Sequence, residues 1–279
     1  MYNYFRAIYY LVSMKRHAYW RHDKLVEYQN RKVRETVKYA YERVPFYHER
    51  FERLGLRPSD IKTVKDLNKL PVLTKEDVRK NLEKMISTEF DVHSLRMIST
   101  SGSTGKPLSI YINTREDEIR KAGHLRANIG CGQKPWDHWA VVTPPELHHE
   151  VPGLLRFLDV YAFTPISVFD DPAVQVAKLE KIKPDVLEGY STCLLLMAKE
   201  VDERGIDDVT PRFLVGGAEL IDGSSRQFIE KVFGAPFYDQ YSSTEFGRMA
   251  CQCPERNGYH IDADCIVMQF VDEDGEEVA

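Results

Sequence analysis

Over residues 24–53 the apolar positions Leu25, Val26, Val33, Val37, Ala40 and Val44 recur at steps of three, four and seven with polar residues between them. That spacing predicts an amphipathic helix, which Pro45 breaks. Helix-start signals at Ser59-Asp60 and Thr74-Lys75-Glu76, set around Pro58 and Pro71, predict small helices joined by turns over 54–80. The rhythm then changes. Strand-like runs at 97–100 and 108–112 precede a helix over 115–129 and an apolar run at 139–142. Strands at 166–169, 186–189, 213–215 and 236–240 then alternate with helices over 173–182, 191–204 and 224–233. Repeated βαβ units predict an α/β fold with a largely parallel sheet flanked by helices. Ile261, Ile266, Val267, Gln269, Phe270 and Val271 add a small β region, read as a hairpin, at the C-terminal end.

Three regions follow: a helical N-terminal region over 1–95, an α/β core over 96–250, to which only the resemblance described below gives nucleotide and acyl binding, and a Cys/His cluster with the start of a β subdomain over 251–279. The formal net charge of −5 and pI near 6.0 give no global basic field for nucleic acid, so an anionic ligand has to be held locally. No apolar run reaches the ~20 residues that span a bilayer. The aromatic N-terminus, with Phe5, Tyr9, Tyr10 and Leu11, either packs on the body of the protein or lies in a membrane interface. Five cysteines, an odd number, fit a reduced, cytoplasmic compartment.

Three segments carry chemistry. Thr100, Ser101, Gly102, Ser103, Thr104, Gly105, Lys106 and Pro107 lie between two strand-like runs. Such a loop can turn its N–H groups onto a phosphate chain, with Lys106 adding charge, or be a plain turn. It is not a GxxxxGK[ST] loop: only two residues separate Gly102 from Gly105, and Pro107 stands where a magnesium-binding hydroxyl would be. The second segment pairs the glycine turn Val215-Gly216-Gly217-Ala218-Glu219 with the run from Asp239 to Gly247, each at a strand end where open α/β sheets place ligands. The third is Cys251, Cys253, His260 and Cys265, the ligand composition of a closed zinc site at spacings unlike a zinc finger, or else buried thiols beside a histidine. Cys131 and Cys193 read as packing residues, whereas His148, His149, Trp139, Tyr190 and Ser191 either line an acyl pocket or are structural.

The order TSGSTGKP, GGAE, YSSTE resembles the adenylate-forming superfamily, which includes acyl-CoA ligases. The runs YAYERVPFY at 39–47 and LPVLTKED at 70–77 resemble its phenylacetate–CoA ligase and CapK-like branch. That resemblance implies activation of a carboxylic acid, aromatic in this branch, by ATP to an acyl-adenylate for transfer to coenzyme A. It implies that Thr100, Ser101, Gly102, Ser103, Thr104, Gly105 and Lys106 handle the ATP phosphates, and that Gly217, Ala218 and Glu219 border the adenine. Tyr241 would stack on that ring beside Asp239 and Ser242, Thr244 would contact the α-phosphate, and Glu245 would bind Mg²⁺. Catalysis would fall to Thr244, Glu245 and Lys106. Relatives in this branch that carry a metal-binding Cys/His cluster favour structural Zn²⁺ at Cys251, Cys253, His260 and Cys265.

The family continues past Ala279 with an aspartate for the ribose, a hinge and a mobile domain bearing a catalytic lysine. The chain therefore reads as the large N-terminal part alone, as a homodimer or with a separate chain supplying the rest. The rival readings are a catalytically incomplete nucleotide- or acyl-binding homologue and an accessory protein of capsular polysaccharide synthesis.

Overall fold

The computed structural model describes residues 3–100, 106–145, 160–273 and 278. The chain divides into two compact units, Met1–Gly123 with Thr244–Gly247 and Ile261–Ala279, and His124–Ser243 with Arg248–His260.

The first unit begins with helices α1 (Tyr4–His17), α2 (His22–Arg43) and α3 (Pro45–Leu54). Pro45 sits in the first turn of α3, where its missing N–H costs nothing, and extended Val44 separates that helix from α2. Gly55, at φ +65°, ends α3 in the left-handed conformation. Short 3₁₀ turns at Pro58–Asp60 and Val64–Lys69 lead to α4 (Lys75–Asn81), which opens on a capping box. Thr74 Oγ1 accepts the Asp77 N–H at 3.1 Å, and Asp77 Oδ2 accepts the Thr74 N–H at 2.9 Å. Strands β1 (Arg96–Ser99) and β2 (Ser109–Ile112) pair antiparallel ahead of α5 (Thr114–Gly130). Val33, Val37, Phe51 and Ile61 form a small core that Val267 joins from the C-terminal segment.

The second unit is the α/β layer that the alternating pattern predicts. It comprises β3 (Trp139–Thr143), β4 (Phe163–Ser167), α6 (Pro172–Ile182), β5 (Val186–Tyr190), α7 (Ser191–Arg204), β6 (Phe213–Gly217), α8 (Gly223–Phe233) and β7 (Phe237–Ser243). With β8 (Gly247–Cys251) and β9 (His260–Ile261) the described strands order as β4-β3-β5-β6-β7-β8-β9, and the pairs from β4 through β7 are parallel. Leu187, Leu194, Met197, Leu214, Ile229 and Phe237, all fully buried, pack the sheet against its helices. β4 starts three residues before the apolar run suggests and includes Pro165, which an edge strand tolerates because it needs no second ladder. At the C-terminal end the β structure is smaller than the apolar spacing suggests. After β9 the N–H groups of Cys265 and Ile266 both go to the Asp262 carbonyl, so the chain turns there instead of extending.

Candidate functional site

In the second unit β6 ends on two glycines whose lack of a side chain is structural. A Cβ on Gly216 would lie 1.9 Å from the Phe237 ring, and one on Gly217 would lie 2.8 Å from the Gln240 carbonyl oxygen. Only glycine lets β6 approach β7 this closely. Ala218 then takes the left-handed conformation, φ +65°, and turns the chain out of the sheet. Glu219 Oε2 accepts the Thr192 N–H at 2.9 Å, tying that turn to the start of α7. In register Gly216 lies opposite Asp239 and Gly217 opposite Gln240. Gly217, Ala218, Glu219, Asp239, Tyr241 and Ser242 thus gather at the carboxyl ends of two neighbouring parallel strands, where open α/β sheets bind ligands.

Asp239 is held by its N–H to Gln252 Oε1 at 3.2 Å, by its carbonyl from the Gln252 N–H at 2.9 Å, and by the Tyr259 hydroxyl, which donates to its carboxylate. Burial and that hydrogen bond push the Tyr259 phenol up to about 12. Tyr241 presents more than half of its surface to solvent, as suits a side chain offered as a stacking platform.

In the first unit the Thr100 N–H donates to the Leu108 carbonyl at 2.9 Å, and Thr100 Oγ1 accepts the Leu108 N–H at 2.9 Å. These bonds close the neck of the glycine/hydroxyl loop, whose members Ser101, Gly102, Ser103, Thr104 and Gly105 lie outside the described residues. The carbonyl of Lys106 accepts from Arg79 at 2.6 Å. The turn carrying Thr244 and Glu245 hangs on Arg120 of α5. That guanidinium donates to the Thr244 carbonyl at 2.8 Å and the Glu245 carbonyl at 2.6 Å, and is itself gripped by Glu116 at 2.5 and 3.0 Å. Gly247, at φ +71°, closes the turn against the Arg120 stem, with a Cβ site 3.4 Å from its Cγ. Because the clamp uses carbonyl oxygens, it leaves the Glu245 carboxylate without a cation among the described residues. Its side chain lines a cavity of about 360 Å³ together with Tyr111, Asn113 and Glu116.

One part of the second unit escaped sequence reasoning. Glu188 sits in the middle of β5, with His124 Nε2 2.8 Å from its Oε1. Asn128 Nδ2 and Trp139 Nε1 donate to its Oε2 at 3.1 and 3.2 Å, and Gln240 Nε2 reaches Asn128 Oδ1 at 3.1 Å. Burial would raise the Glu188 carboxyl, but His124 and the two donors outweigh it and hold it below the ordinary range. The signal was available: an acid inside an apolar parallel strand needs partners. Trp139 belongs to this network, its indole stacked with His124 at a 6.0 Å centroid distance.

The zinc expectation finds no support in the structure. Among the described residues, which include Cys251, Cys253, His260 and Cys265, no three His, Cys, Asp or Glu side chains converge in a way that could hold a metal ion. Cys251 ends β8, His260 lies on β9, and Cys265 follows a turn. Cys131 donates its thiol hydrogen to the Gln252 carbonyl at 3.5 Å. Burial, with Cys251 and Cys253 nearby, pushes that thiol up to about 12, which keeps it protonated. His148 and His149 lie outside the described residues.

No family model matches the chain. It is 36% identical over 234 residues to phenylacetate-coenzyme A ligase of Escherichia coli K12, covering 80% of this chain and 52% of that one. Protein CapK of Staphylococcus aureus is 29% identical over 242 residues, 79% of this chain and 50% of the relative. The phenylacetate-coenzyme A ligase of Pseudomonas putida is 27% identical over 257 residues, 90% and 58% respectively. The chain thus spans about half the length of the curated relatives it matches. Among solved structures, 2-hydroxyisobutyryl-CoA ligase in complex with 2-HIB-AMP and CoA superposes with a TM-score of 0.77 at 20% identity, over 93% of this chain and 58% of that one. The fold is therefore shared with 2-hydroxyisobutyryl-CoA ligase, and in sequence the chain is similar to phenylacetate-coenzyme A ligases and to CapK, the branch of the adenylate-forming superfamily that its motifs resemble.

Proposed function

We propose that the chain carries the acid-activating site of an ATP-dependent acid–CoA ligase with an aromatic carboxylic acid as substrate. A carboxylate oxygen attacks the α-phosphorus of ATP, the bond to the bridging oxygen breaks, and pyrophosphate leaves as the acyl-adenylate forms. The thiol of coenzyme A then attacks the acyl carbon, giving the thioester and AMP. The observation that carries this reading is the placement of the GGAE turn and the start of the YSSTE segment at the carboxyl ends of β6 and β7, with Gly217 opposite Gln240.

In this reading Gly217, Ala218 and Glu219 border the adenine, Tyr241 stacks on it, and Asp239 and Ser242 complete the edge. Thr244 donates to the α-phosphate. Thr100, Ser101, Gly102, Ser103, Thr104, Gly105 and Lys106 hold the β- and γ-phosphates through N–H groups, hydroxyls and charge. Glu245 would take Mg²⁺. A carboxylate with no cation partner among the described residues is a suitable hard ligand, and the metal would neutralise charge on the phosphates. An enzyme that consumes ATP and coenzyme A works in the cytoplasm.

The test is calorimetric titration with Mg²⁺–ATP and AMP, followed by acid-dependent pyrophosphate release with phenylacetate and other aryl acids. Micromolar nucleotide binding that Tyr241→Ala and Glu245→Ala abolish is the expected result. Nucleotide binding without pyrophosphate release for any acid would favour a catalytically incomplete homologue, and no nucleotide binding by the folded chain would reject the site.

A further inference from the structure

Helix α1 has two faces with opposite fates. Its inner face is fixed to the first unit. Glu118, fully buried on α5, accepts the Asn3 N–H at 2.7 Å and the Arg6 guanidinium at 2.8 Å. Tyr10 accepts from Arg115 at 2.7 Å, His17 Nδ1 lies 2.9 Å from Asp264 Oδ2, and Met14 is buried. The helix is therefore an anchored element whose orientation is set.

The outer face carries Phe5, Ile8, Tyr9 and Val12, spaced i, i+3, i+4 and i+7, with Phe5 87% and Tyr9 67% exposed. The aromatic series continues past the helix in Tyr19, which is 89% exposed. Such a stripe would normally face a core, and here the core side of the helix is the other one. Charge selects what can cover it. The chain has a formal net charge of −5, yet α1 contains no acidic residue, and Lys15 and Arg16 stand exposed at the end of the stripe. The segment from Asn3 to Lys24 holds Arg6, Lys15, Arg16, Arg21 and Lys24 against a single acid, Asp23; Arg6 is taken by Glu118 and Arg21 pairs Asp23 at 3.3 Å. Exposed aromatics and aliphatics flanked by lysine and arginine match the interface of an anionic bilayer, where rings settle among headgroups and cations meet lipid phosphates.

We propose that the outer face of α1, with Phe5, Ile8, Tyr9, Val12, Lys15 and Arg16, docks the protein onto an anionic lipid surface. One short helix with four apolar contacts gives weak, reversible and salt-sensitive attachment. The inference is independent of the nucleotide site.

The test is flotation of the full chain with vesicles of phosphatidylcholine alone and of phosphatidylcholine with roughly one-third phosphatidylglycerol. Binding to the anionic vesicles only, weakened about tenfold by Phe5→Asp/Tyr9→Asp and likewise by Lys15→Glu/Arg16→Glu, is expected. The substituted side chains are exposed, so circular dichroism should be unchanged. Equal binding to both vesicle types, binding that survives the variants, or none at all would overturn the proposal. So would sedimentation showing a dimer that Phe5→Asp/Tyr9→Asp dissolves without any vesicle binding, since a second copy would then cover the stripe.

Discussion

The β6–β7 edge and the Thr244–Gly247 turn hold neighbouring stretches of one motif series by opposite means. At the carboxyl ends of β6 and β7, position comes from missing side chains: Gly216 and Gly217 let two backbones close up, and the packed layer beneath fixes them. At the turn, position comes from one long side chain, with Arg120 bonding two carbonyls and Glu116 gripping Arg120. The first device resists gradual change, because a buried sheet has no room to relax. The second is a partly solvated clamp that can be loosened without unfolding the unit around it. The difference teaches that backbone can be positioned rigidly, by leaving side chains out, or adjustably, by one side chain that holds its carbonyls.

Five substitutions at four positions break or sharpen this contrast. Glu188→Ala leaves the buried Asn128 and Trp139 donors and His124 without their acceptor and should cost the second unit about 3–5 kcal/mol in denaturant unfolding. Because the folded carboxyl is depressed, its contribution is fully present above about 4.5 and lost as pH falls through the folded value. Glu188→Gln should therefore flatten the acid limb of the stability curve, and an unchanged limb would place the acid sensitivity elsewhere. Gly216→Ala drives a methyl into the Phe237 ring and should cost about 1–3 kcal/mol, with nucleotide affinity falling alongside stability.

Arg120→Met should behave differently. About a tenfold loss of Mg²⁺–ATP affinity, with AMP affinity and the second unit's unfolding midpoint little changed, would show that the clamp serves the turn alone; the loss amounts to ~1.4 kcal/mol. Equal losses for ATP and AMP would erase the distinction between the two regions. Smallest of all, Thr74→Ala removes one cap of α4 and should cost about 1 kcal/mol, confined to the first unit.

Much of the fold was legible because periodicity and punctuation agreed. The helix over 191–204 emerged with its exact bounds, since Tyr190 and Gly205 mark its two ends. The strand over 163–167 was displaced because Pro165 argues against a strand unless the edge position is known. The glycine pair of β6 could be read as a strand-end turn, whereas the reason for it, the Phe237 ring 1.9 Å from a would-be Cβ, is a tertiary fact. Glu188 and His124 were missed because they lie 64 residues apart, and Arg120 because the carbonyls it holds lie more than 120 residues away, although its Glu116 partner is local. The Cys/His cluster rested on proximity in sequence alone, and among the described residues no metal-binding group supports it.

Arg120 reads the main chain of Thr244 and Glu245 and ignores what that chain carries. Side chains at those two positions can then be exchanged while the loop keeps its course, so the framework tolerates rewriting of the chemistry it displays. A lineage with such a support can explore new substrates or surrender catalysis outright without first having to reinvent a fold.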